Sequence, residues 1–196
     1  ASLRDIIAHL EATYCHSIGI EFMYIREPDR WNWFKDHIEL ANRPVLSEAE
    51  KKQVFRKLNQ ATVFEEFLQK KFVGQKRFSV EGGESLLPAL DAIVERGSEL
   101  GAKEFIIGMA HRGRLNTLAH ILNKPYTEIF SEFAGKAYDH DEEFDGDVKY
   151  HLGWTSDRLT DNGNRINLSI APNPSHLETV GAVVEGITRA KQDKLN

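Results

Sequence analysis

The chain has 196 residues, 41% of them apolar and 28% charged, a soluble globular composition that excludes disordered, collagen-like and coiled-coil classes. Lys and Arg number 25 against 30 Asp and Glu, for a net charge of −5, but six of the acids (Asp139, Asp141, Glu142, Glu143, Asp145, Asp147) form one local run, and without them the balance is +1. There is thus no basic stripe to neutralise nucleic-acid phosphates, no apolar stretch near the ~20 residues that span a bilayer, and, with Cys15 alone, no internal disulfide or cysteine-based zinc site. The expectation is a soluble intracellular protein with no nucleic-acid and no membrane partner. Cys15 sits behind Tyr14 in an apolar helical pattern and reads as a packed core thiol.

The first third reads as helices. Ser2 and Asp5 suit a capping box, and Leu3, Ile6, Ile7 and Leu10 recur at helical spacing, which predicts an amphipathic helix over 3–15. Pro28 opens a second helix carrying Trp31, Phe34 and Ile38, closed by Pro44. Ser47 with Glu50 opens a third, whose apolar face is Val54, Leu58, Ala61, Phe64 and either Phe67 or Leu68. Residues 1–75 are therefore expected to form a helical N-terminal subdomain.

From Phe78 the pattern changes to short apolar runs alternating with helical ones, the signature of an α/β fold around a mostly parallel sheet over 76–196. A helix is predicted over 84–100, with Gly101 as its left-handed stop. A buried strand at 105–107 and a helix from Arg112 or Gly113 through Leu115, Leu118, Ala119 and Leu122 follow. Residues 125–133 read as helix and 165–170 as a strand with one face less buried. The last helix begins at Ser175, capped with Glu178, with Leu177, Val180, Val184 and Ile187 as its seam. The chain stops in the last turn of that pattern with no following strand, so it is expected to be a fragment of a longer polypeptide whose α/β layer is incomplete.

Three constellations could carry chemistry. His111-Arg112-Gly113-Arg114-Leu115-Asn116 stands where a buried strand hands over to a helix, the place where open α/β sheets bind ligands. Arginine heads there suit carboxylate or phosphate, and the competing reading is that they are helix-start residues reaching solvent. Pro172-Asn173-Pro174-Ser175-His176-Leu177-Glu178 also follows a strand and opens a helix, with first-turn amides available to an anion. His176 is either a neutral catalytic group or incidental to a good helix start. Lys149 to Asp157, with His151, is either an active-site loop or an edge strand. The spacing of His111, His151 and His176 matches no metal motif, so no metal ligand is assigned. Hydrolase-elbow, phosphate-loop and dinucleotide fingerprints are missing from the sequence. The residues alone indicate an α/β domain that binds a small dianion or a diphosphate with Arg and neutral His.

Five strings resemble one family: Arg77-Phe78-Ser79-Val80-Glu81-Gly82-Gly83-Glu84-Ser85-Leu86, Gly108-Met109-Ala110-His111-Arg112-Gly113-Arg114-Leu115-Asn116, Phe133-Ala134-Gly135-Lys136, Gly146-Asp147-Val148-Lys149-Tyr150-His151-Leu152-Gly153 and Asn173-Pro174-Ser175-His176-Leu177-Glu178. They are similar to the 2-oxoglutarate dehydrogenase family, the thiamine-diphosphate-dependent decarboxylating first component of that complex, in order from about Ile18 to Asp193. The resemblance implies an N-terminal fragment comprising the helical subdomain and the start of a transketolase-like, thiamine-diphosphate-binding domain. It implies His111, His151 and His176 as catalytic residues and His111, His151 and Thr155 as substrate-binding ones. Arg112, Ser175 and Leu177 become cofactor-side residues. It further implies thiamine diphosphate with Mg2+ whose ligands fall outside this chain, and 2-oxoglutarate as substrate. The implied partners are dihydrolipoyl succinyltransferase and dihydrolipoyl dehydrogenase, with a homodimeric full-length protein in the bacterial cytoplasm or the mitochondrial matrix. The fragment alone is expected to be inactive. Thr155, where the family more often has Ser, leaves 2-oxoadipate as an alternative substrate, and a non-catalytic assembly module is the rival from another class.

Overall fold

The computed structural model describes residues 1–39, 46–134, 151–172 and 177–195, with the side chain of Leu177 outside the description. These residues form two compact units, Ala1–Ala49 and Glu50–Asn196.

The first unit holds α1 (Leu3–Tyr14) and α2 (Pro28–Ile38). The capping box at its start is formed, with Ser2 N donating to Asp5 Oδ2 at 2.7 Å and Asp5 N to Ser2 Oγ at 3.3 Å. The core of this unit is small: Phe22, 1% exposed, lies against Trp31 and Phe34 of α2 with ring centroids 5.9 and 6.1 Å away. No residue of α1 is buried, and Leu3, Ile6, Ile7 and Leu10 all stand exposed. Cys15 therefore corrects the expectation of a core thiol. It is exposed, because it caps a helix whose apolar stripe is uncovered in this unit.

In the second unit α3 (Glu48–Lys71) buries Ala61, Phe64, Glu65 and Leu68, so Leu68 and not Phe67 completes its inward face. α4 (Leu86–Glu99), β1 (Glu104–Ile107), α5 (Arg114–His120), α6 (Tyr126–Phe133), β2 (Trp154–Leu159), β3 (Arg165–Ile170) and α7 (Leu177–Asp193) follow. Gly101, at φ +94°, ends α4 as the sequence indicates. The sheet has the order β1-β3-β2. β1 runs parallel to β3, with Ile107 opposite Ile170, as a βαβ reading requires. β2 runs antiparallel, with Trp154 opposite Ile170, and makes the sheet mixed. Of the two readings left open for 149–157, residues 154–157 are thus edge strand, while 149 and 150 lie outside the described residues.

Ile166, Leu168 and Ile170 of β3 point into one core with Ala61, Leu87, Val94 and Leu118. Phe64, Leu68, Leu115, Ala119, Ile129 and Phe133 make a second. α5 lies between the two and all seven of its residues are buried. α3, α4 and β2 are also tied by charge: Asp91 accepts from Arg158 Nη2 at 2.5 Å and pairs with Lys57 Nζ at 2.8 Å. Burial pushes that carboxyl up, and the hydrogen bonds from Lys57 and Arg158 outweigh it, holding the group below its usual range. The effect of this geometry is that the exit of β1, the entry of β2 and the exit of β3 meet at one end of the sheet.

Candidate active site

At that end the chain leaves β1 through Gly108, Met109 and Ala110 to His111, and turns into α5 at Gly113. Gly113 has φ +76°, and a Cβ there would lie 3.0 Å from Val80 Cγ2. A larger residue would be strained in conformation and crowded by Val80 at once. The close approach exists because residues 78–80 are clamped onto 111–113. Gly113 N donates to Phe78 O at 2.9 Å, and Arg112 Nη1 donates to Ser79 O at 2.9 Å. The Phe78 ring lies against the His111 ring, centroids 3.9 Å apart. Phe78 takes φ +44°, a conformation that costs a non-glycine residue about 1–3 kcal/mol. The clamp and Glu65 hold it there, since Glu65 Oε1 accepts from Val80 N at 3.2 Å and from Asn116 Nδ2 at 2.9 Å.

The polar atoms left over define what this edge can bind. His111 Nδ1 is buried and has no hydrogen-bond partner among the described residues. A ring nitrogen in that state is rare, because an unpaired buried polar atom costs about 1–3 kcal/mol. The Arg112 guanidinium is exposed beside it, one contact to a carbonyl notwithstanding. A ring nitrogen awaiting a partner and an available cation at the same strand end suit a small oxyanion.

Arg114, two residues on, behaves in the opposite way. It is 0% exposed, its Nη2 donates to Leu152 O at 2.8 Å and Ala171 O at 2.7 Å, and its Nη1 donates to Met109 O at 3.3 Å. Burial alone pulls its ionisation down to about 10, so it remains a cation at neutral pH. The sequence groups the two arginines; the structure separates them into an exposed residue and a buried bracket.

His151 lies half-buried in the turn just ahead of β2. Leu152, beside it, is held by Arg114. Thr155 is on the exposed side of β2, opposite Ser169, with the two hydroxyls 3.0 Å apart. The structure therefore brings together the edges that carry His111, Arg112 and His151, and sets Thr155 one register step further into the sheet. Ser175 and His176 lie outside the described residues, and Leu177 is described only as the first residue of α7. Among the described residues no three His, Cys, Asp or Glu side chains are grouped to hold a metal ion. Sequence reasoning missed Phe78, whose left-handed backbone has no sequence signal, and Glu65, which the helix pattern would leave on the surface.

No family model matches the chain. The 2-oxoglutarate dehydrogenase E1 components of Brucella canis, Brucella suis and Brucella abortus are each 49% identical over 197 aligned positions, which cover 100% of this chain. The chain is similar, along its whole length, to 2-oxoglutarate dehydrogenase E1 components. It spans about one fifth of the length of these relatives, 20% in each case. The likeness to the E1 components runs through both compact units, so the helical first unit shares it with the sheet edge that carries His111 and Arg112.

Proposed function

We propose that this chain is part of a 2-oxoglutarate dehydrogenase E1 component and supplies one face of its active site. The reaction would be the oxidative decarboxylation of 2-oxoglutarate in the tricarboxylic acid cycle, with transfer of the succinyl group to the lipoyl of dihydrolipoyl succinyltransferase. Dihydrolipoyl dehydrogenase would be the third component, the full-length protein a homodimer, and the compartment the bacterial cytoplasm. The observation that carries this reading is 49% identity over the entire chain to proteins of that name. No helix among the described residues is long and apolar enough to cross a membrane.

The site's chemistry agrees with the substrate class. A 2-oxo diacid presents two carboxylates, and the β1 exit offers a buried imidazole nitrogen without a partner among the described residues and an exposed guanidinium. In this reading His111 and His151 face the substrate and handle protons at their ring nitrogens, His176 is a third catalytic group, and Thr155 contributes a hydroxyl to the substrate pocket. Phe78 excludes water from one side of the His111 ring. The exposed Arg112 guanidinium also suits the diphosphate of thiamine diphosphate, and in this reading Arg112, Ser175 and Leu177 are the cofactor-side residues. Thiamine diphosphate, when bound, supplies the electron sink for loss of carbon dioxide from a 2-oxo acid. Mg2+ would be held by ligands from parts of the E1 protein outside the matched fifth. The 196-residue chain alone is expected to release no carbon dioxide.

The test is an assay of the full-length protein with thiamine diphosphate and Mg2+, following carbon dioxide release from 2-oxoglutarate and 2-oxoadipate. Turnover on 2-oxoglutarate, lowered at least tenfold by His111→Ala, is the expected result. No release from 2-oxoglutarate, or wild-type rates in both His111→Ala and His151→Ala, would overturn the assignment.

A further inference from the structure

Arg114 presents a physical puzzle. A fully buried cation normally faces a carboxylate, since desolvation is otherwise uncompensated, yet among the described residues the Arg114 guanidinium is bonded to three neutral carbonyls and its Nε has no partner. An apolar side chain of the same volume would fill the space between the two cores without that cost. What an apolar side chain could not do is fasten the three chain ends that meet here. Met109 O belongs to the exit of β1, two residues before His111. Leu152 O belongs to the turn into β2, one residue after His151. Ala171 O is the first residue past β3, where the chain heads for 173–176. Only a planar fork with several donors reaches acceptors 5, 38 and 57 residues away in sequence. The turn is also pressed against the β3 exit, for a Cβ at Gly153 would lie 2.9 Å from Pro172 Cδ and 3.1 Å from Ile170 O.

We infer that Arg114 is a positioning residue: without touching substrate, it fixes the spacing between the segment that carries His111, the segment that carries His151 and the β3 exit at 171–172. This rests on the reading of those residues as one active-site face. The guanidinium takes the carbonyls that would otherwise draw each segment toward water, and turns three independent loops into one rigid rim. Preorganisation of this kind acts on binding and turnover, because a misplacement of about 1 Å at reacting groups can cost on the order of a hundredfold in rate.

The experiment uses the full-length protein with thiamine diphosphate and Mg2+, comparing wild type with Arg114→Lys, Arg114→Gln and Gly153→Ala. Steady-state kinetics on 2-oxoglutarate are paired with hydrogen–deuterium exchange. In folded Arg114 variants the KM should rise at least tenfold and kcat/KM fall about a hundredfold, as the preorganisation argument implies. Exchange should accelerate together at 109–113, 151–153 and Ala171 while α4 stays protected. A merely structural arginine would lower the yield of folded enzyme and leave KM unmoved, and that result overturns the inference. If the Arg114 variants do not fold, Gly153→Ala decides: it displaces the same turn with Arg114 intact, and a wild-type KM there also overturns it. A wild type that cannot use 2-oxoglutarate would defeat the functional reading instead. The exchange pattern would still report whether the three segments loosen as one, and unlinked exchange would defeat the rim itself.

Discussion

Helix α1 places its apolar residues at helical spacing and buries none of its twelve; helix α5 carries Arg, Asn, Thr and His among seven residues and buries them all. Hydrophobic patterning thus decides which face of a helix can be buried, and the surrounding elements decide whether it is. α1 is in a unit whose own core is little more than Phe22 against two rings of α2. α5 is enclosed by α3, α6 and the sheet, and its polar side chains are tolerated there because each makes at least one hydrogen bond. Arg114 holds three carbonyls, Asn116 meets Glu65 and Ala61 O, Thr117 donates to Gly113 O, and His120 sits between Asn116 and Tyr126.

The sharpest way to break the comparison is in the apolar half of α5. Leu118 is 1% exposed and packs in the core with Leu168 and Ile170. Leu118→Ala should destabilise the second unit by about 4 kcal/mol, the upper part of the range for a leucine truncated in a tight core. Urea unfolding followed by circular dichroism measures it. A loss under about 1 kcal/mol would mean that α5 is not enclosed in solution.

The next effect belongs to the polar half. Burial, aided by the charge of Lys57, pushes His120 down to about 4 from its ordinary 6.5. The groups around it are Lys57 and Phe64 on α3, Asn116 on α5 and Tyr126 on α6, whose phenol is itself raised by burial. The sign follows from which state takes the proton first. As pH falls through 6.5 the unfolded chain binds it while the folded protein does not, so the stability of the neutral form is complete above that value. It is lost progressively between about 6.5 and 4, by on the order of 3 kcal/mol. Asp91, the buried acid whose carboxyl is held low, titrates below this window. Stability measured against pH should therefore fall across 6.5 to 4 in the wild type and remain flat there in His120→Gln.

These two effects also show what the sequence made legible. Among the described residues the seven helices follow from periodicity, caps and turn residues, and α6 and β3 agree with their expected bounds to within a residue, whereas α2 ends at Ile38, short of the stop expected at Pro44, which lies outside the described residues. β2 is not legible in the sequence because Trp154 to Leu159 carries apolar residues only at its two ends, although its burial alternates along the strand. Cys15 was misplaced for the reason that separates α1 from α5: a pattern was read as a location. At the site, strand-end position singled out His111 and Arg112 correctly as neighbours of an edge. Nothing local could distinguish Arg112 from Arg114, since the difference lies in carbonyls at 109, 152 and 171 that converge only in the fold. Glu65 is likewise an ordinary helical acid until Val80 N and Asn116 arrive.

A smaller effect is expected at the start of α1. Ser2 and Asp5 close a capping box that satisfies two first-turn amides. Ser2→Ala should weaken the helix by about 1 kcal/mol, read as faster amide exchange over residues 3–8 with no change in α4 or α5. Unchanged exchange would mean that the first turn is frayed in solution and the cap idle.

The smallest effect should come from the apolar stripe of α1 itself. Leu10 is 40% exposed, Ile6 48% and Leu3 72%, so each already pays most of its hydration penalty in the folded protein. Truncating such a side chain removes little buried area, and at about 25 cal/mol per Å2 only area that leaves water on folding counts. Alanine is also the better helix former, by a few tenths of a kcal/mol over leucine at most. Leu10→Ala in the 196-residue chain should therefore shift stability by no more than about 0.5 kcal/mol, against about 4 kcal/mol for the same chemical change at Leu118. Parallel urea titrations of the two variants test the contrast directly. A loss of about 2 kcal/mol or more at Leu10 would place that stripe in a packed interface, and the distinction drawn between the two helices would fail on the α1 side.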